Sequence, residues 1–72
     1  MLANIISRRD QLRENRLHLL DNIAQYEDMM KRRGPHYEGP AKYALSDLRR
    51  RLDETDVELG KLNAAIIASS QS

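Results

Sequence analysis

Two of the three glycines and both prolines of this 72-residue chain crowd into one stretch, Gly34-Pro35-His36-Tyr37-Glu38-Gly39-Pro40. Glycine and proline are the strongest local breakers of regular structure. On either side runs a long, proline-free segment with helical periodicity. A chain built this way folds as a helical hairpin with its pivot at this point. The expected boundaries are a first helix over about 2–33, a turn at 34–39, a second helix over about 40–68 and a frayed tail at 69–72.

In the first segment Ile5, Leu12, Leu19 and Tyr26 recur every seven residues, with Leu2, Arg9, Arg16, Ile23 and Met30 as the companion series. These are the d and a positions of a heptad. Ile6 and Leu20 at e, and Leu17 and Ala24 at b, widen the apolar arc to roughly 160°. One partner helix cannot cover that width. The segment closes on Lys31, Arg32 and Arg33, whose charge complements the exposed carbonyls of a last helical turn. Gly34 suits the left-handed residue beyond it, and Gly39 with Pro40 suits the start of a second helix.

The second segment is the cleaner heptad. Leu45, Leu52, Leu59 and Ile66 fall at a; Ala41, Leu48, Thr55, Leu62 and Ser69 fall at d. Matching a of one helix to d of the other in antiparallel sense sets Met30 by Ala41, Tyr26 by Leu45, and Ile23 by Leu48. Leu19 then meets Leu52, Arg16 meets Thr55, and Leu12 meets Leu59. The polar layer of Arg16 and Thr55 calls for a carboxylate, and Asp56 is the nearest; Arg9 has Glu58 in reach. Such a layer is a device for fixing register.

One coiled-coil seam is a thin core for so short a chain. There is no cysteine to form a disulfide or a thiolate metal site, and two histidines do not make a structural zinc site. A second copy is the remaining stabiliser. Ile6, Leu17, Leu20, Ala24, Val57, Ala65 and Ile67 are left outside the seam, and two hairpins face to face would bury them. The fold expected is therefore all-α, an antiparallel two-helix hairpin that dimerises into a four-helix bundle.

No catalytic constellation or phosphate-binding glycine loop is present, so neither an enzyme nor a cofactor is expected. No apolar run approaches the roughly 20 residues of a membrane span, and the first residues lack a secretory core, so cytoplasmic residence is expected. The formal net charge of +1 provides no global field for nucleic acid.

Two binding readings follow. The first is a protein–protein interaction module, an inhibitor or adaptor of the kind common among small phage and plasmid proteins. Its residues lie near the pivot: Met29, Arg32, Arg33, His36, Tyr37 and Tyr43. Tyr and Arg are enriched in binding hot spots, and Met adapts to varied surfaces. The second reading rests on a polar stripe of Asn4, Gln11, His18, Gln25 and Arg32, with Asn15 and Asn22 beside it. Amides and arginines on a convex face suit RNA sugars and phosphates. In layout this is similar to the Rop family, small plasmid-encoded hairpins that dimerise into a four-helix bundle and bind paired RNA loops. That resemblance implies RNA as a partner. A purely structural assembly subunit is the third alternative.

Overall fold

The computed structural model describes residues 2–71, with side chains at all of these except 35–37 and 71. Two helices account for it, α1 (Leu2–Arg33) and α2 (Pro35–Gln71). They lie side by side as a rod of 56 × 15 × 14 Å. Its long axis is about the length of α2 alone at 1.5 Å per residue.

The helices run antiparallel, as three ion pairs that cross between them demonstrate. Arg49 meets Glu27, Arg16 meets Asp56 and Arg8 meets Glu58, so α1 is descended as α2 is climbed. Burial follows the heptads. Every a and d residue from Ile5 to Met30 in α1, and from Ala41 to Ile66 in α2, is buried or half-buried. Leu12, Ile23, Ala41, Leu45 and Leu59 form the most enclosed part of the seam. The ion pairs also respect this phasing: Arg8 and Glu58 both occupy g, and Glu27 and Arg49 both occupy e. They lie on opposite flanks of the seam.

The pivot is tighter than the sequence suggests. Gly34 alone connects the helices, at φ 72°. Its N–H donates to the Met30 carbonyl at 3.1 Å, the closing bond of a left-handed helix cap. α2 then starts at Pro35 rather than Pro40, so the expected turn at 34–39 is corrected to a single residue. The physical reason is that the chain contains two Gly-Pro pairs with equivalent local chemistry. Pro35 is as well suited to the first helical position as Pro40, since its missing N–H has no intrahelical partner there. The consequence is a proline inside α2: Pro40 cannot donate to the carbonyl of His36.

The far end also differs. α2 continues to Gln71 instead of fraying after 68. Ser70 Oγ donates to the Ile66 carbonyl at 3.0 Å, so the polar side chain is satisfied by its own helix.

Candidate functional site

Near the pivot the two helices leave open grooves on both flanks of the seam. One, of about 380 Å³, has Tyr26 and Met29 of α1 facing Ala44 and Leu48 of α2, with Asn22 and Asp47 at its edge. It opens where small Ala44 stands beside the seam. The opposite groove, of about 420 Å³, is floored by Met30 and Leu45 and rimmed by Glu27, Lys31, Lys42 and Arg49. One flank is thus nearly neutral and the other strongly charged.

The residues expected to bind a partner fall around this end but do not form one cluster. Met29 lines the first groove and is partly exposed. Tyr43 stands on the outer face of α2, 82% exposed, one helical turn from Asp47. Arg32 is exposed and donates from Nε to Asp28 Oδ2 at 3.1 Å within its own helix. Arg33 is exposed on the last turn of α1. The side chains of His36 and Tyr37 lie outside the described residues. Asn22, Ala44, Asp47 and Leu48 were not anticipated as groove residues; alanine beside the heptad seam was the available signal.

The residues expected at a dimer interface divide between faces. Ile6, Leu17, Leu20 and Ala24 run along one side of α1, where Leu17 is 64% exposed. Ile67 lies on the same side of α2, at its far end. Val57, 59% exposed, sits among Asp53, Glu54, Glu58 and Lys61 on the back of α2 and faces away from α1. Half-buried Ala65 is on the opposite flank. No single flat contact covers all seven.

In the polar layer Arg16 Nε donates to Asp56 Oδ1 at 2.7 Å. Thr55 turns its hydroxyl to the Arg51 carbonyl of its own helix at 2.8 Å. Arg9, for which Glu58 was expected, instead holds Asp10 at 3.0 Å, and Arg8 takes Glu58. Arg9 lies in the seam, whereas Arg8 lies on the flank that Glu58 shares.

The polar stripe of Asn4, Gln11, His18, Gln25 and Arg32 is exposed along its whole length. Two of its members are engaged locally, Gln25 Nε2 donating to Asp21 Oδ2 at 3.0 Å and Arg32 Nε to Asp28 Oδ2 at 3.1 Å. Arg8, Arg9, Arg16, Arg32, Arg49, Arg50 and Arg51 all hold carboxylates of this chain. Among the described residues no group of three His, Asp or Glu is placed to hold a metal ion. Nor is any helix among them long and apolar enough to cross a membrane. No protein-family model, curated protein or solved structure matches the chain.

Proposed function

We propose that the chain is a cytoplasmic protein-interaction module, not an enzyme: a coiled-coil hairpin that pairs with a second copy as a four-helix assembly and offers its pivot end to a partner protein. The observation that carries this reading is a contrast on the surface. Most arginines are neutralised by carboxylates of the same chain, while Leu17, Met29, Tyr43 and Val57 remain uncovered. Exposed apolar side chains are therefore a large part of what the surface has to offer. Full burial of each such side chain is worth about 1.5–3 kcal/mol before the cost of association.

The same contrast weighs against RNA. Phosphate binding draws on available cations, and most of the arginines here would first have to give up an internal ion pair. An inhibitor or adaptor of a host regulatory protein or enzyme is the role that fits a surface of this kind.

Light scattering and affinity capture test the proposal together. A dimeric mass at tens of micromolar, and nuclease-resistant capture of a protein that the Tyr43→Ala variant loses, is the expected result. A monomer with a cooperative melt, or tight binding of structured RNA with a steep salt dependence, overturns it.

A further inference from the structure

Along the exposed side of α1, Asp10, Arg13, Leu17, Leu20, Ala24, Glu27 and Lys31 follow one another at alternating spacings of three and four. They therefore form one continuous stripe beside the seam. Its charge pattern is self-complementary about Leu20. Leu17 and Ala24 flank the centre, then Arg13 and Glu27, then Asp10 and Lys31. Each outer pair has opposite signs at nearly equal distance from the middle.

From this we infer that the second copy lies with its α1 against this α1, antiparallel, on a two-fold axis at Leu20. The inference rests on the self-association proposed above and specifies its geometry. In a two-fold contact the same patch meets itself, so every pairing occurs twice. Leu17 packs over Ala24 of the other copy, a large side chain on a small one. Arg13 meets Glu27, and Lys31 meets Asp10.

Three observations favour this arrangement. Arg13 and Lys31 make no ion pair among the described residues, unlike most of the arginines. Glu27 holds Arg49 through Oε1 and Asp10 holds Arg9 through Oδ1, so each keeps a second oxygen for the incoming cation. Sliding the copies by half a heptad either way is penalised. One slip sets Asp10 against Glu27, and the other sets Arg13 against Lys31.

The alternative of seating α2 on this face is also disfavoured. The corresponding side of α2 presents exposed Lys42, Ser46, Arg49, Asp53 and Asp56. Covering those charges without new partners would cost more than the lone Ile67 returns. Val57, on the back of α2, stays outside the contact.

Charge reversal and cross-linking of the full chain test the arrangement. Arg13→Glu and Glu27→Arg each change two symmetric contacts and are expected to weaken dimerisation by about tenfold. The double variant restores opposite signs and is expected to return within about threefold of the wild type. It still lacks the internal Glu27–Arg49 pair, so recovery cannot come from that contact. Since the chain has no cysteine, Leu20→Cys and Val57→Cys provide single attachment points for a short bis-maleimide. Leu20→Cys is expected to cross-link into dimers and Val57→Cys is not. A dimeric wild type lacking either the charge rescue or the Leu20→Cys cross-link overturns this geometry and leaves self-association standing. A monomeric wild type at tens of micromolar overturns both.

Discussion

Arg16 Nε donates to Asp56 Oδ1 at 2.7 Å, joining residues forty apart in sequence across the middle of the hairpin. The pair is close but not enclosed, with side-chain exposures of 39% and 46%. In that setting solvent screens the attraction, and an ion pair contributes less than about 1 kcal/mol. Arg16 nevertheless occupies a seam position between Leu12 and Leu19. Replacing it by leucine adds apolar contact worth about 1–2 kcal/mol. Arg16→Leu is therefore expected to raise the thermal midpoint by about 5 °C with an unchanged oligomeric mass. Asp56→Ala should cost less than about 1 kcal/mol. A lower midpoint or a new oligomer for Arg16→Leu would show that this pair sets the register.

The three glycines separate backbone conformation from packing, because a Cβ added at any of them meets nothing within 4 Å beyond its chain neighbours and the adjoining helix backbone. Gly34 has φ 72°, a left-handed geometry that costs other L-residues roughly 1–2 kcal/mol. Gly34→Ala should destabilise by about that amount. Gly60 is helical and exposed, so Gly60→Ala should stabilise by about 1 kcal/mol, whereas at Gly39 the ring of Pro40 opposes a Cβ on the preceding helical residue and Gly39→Ala should gain less. Urea titration resolves the signs. Pro40→Ala adds a test of the pivot itself: restoring a donor for the His36 carbonyl should stabilise by up to about 3 kcal/mol. No gain at Pro40 would place the start of α2 later than Pro35.

The two helices and their facing residues were legible in the sequence because the heptad repeats from Ile5 to Met30 and from Ala41 to Ile66 with few interruptions. Repetition makes a one-residue error in phase visible. The pivot was not legible to the same degree. Gly34-Pro35 and Gly39-Pro40 satisfy the same capping rules, and local chemistry alone does not choose between them. The helical backbone that runs from Pro35 through Pro40 is the detail that distinguishes the first. On the surface, Leu17 and Leu20 were found from their column beside the seam. Val57 was grouped with them by residue type alone, and its angular position on α2 sets it on another face. The groove at Tyr26 and Met29 depends on two helices and one small Ala44, a combination no single-helix pattern shows.

Tyr43 lets binding be separated from folding. At 82% exposure its ring contributes little to the hairpin, and surface substitutions of this type change stability by less than about 0.5 kcal/mol. Tyr43→Ala should leave the helical circular dichroism and the melting midpoint unchanged while abolishing partner capture. Met29→Ala, at the groove beside it, should weaken capture with only a small loss of stability. Loss of the fold in Tyr43→Ala, or full capture by both variants, would remove the pivot end from consideration as a binding surface.

Leu45 and Leu17 are the same residue type at opposite extremes of burial, 4% and 64% exposed. Leu45 sits in the seam beside Ala41, where truncation leaves a cavity in the one core the hairpin has. Leu45→Ala should cost about 2–4 kcal/mol, a large part of the stability of so small a fold. Leu17, at 64% exposure outside the seam, contributes little to the hairpin, and Leu17→Ala should leave the melting midpoint at low protein concentration nearly unchanged. Its effect belongs to association. If a second copy covers Leu17, the wild-type midpoint rises with concentration and that dependence is weakened in Leu17→Ala. Thermal melts over a hundredfold range of concentration make the comparison. A wild-type midpoint independent of concentration, with Leu17→Ala indistinguishable from it, would establish that the exposed stripe of α1 is not a contact between copies.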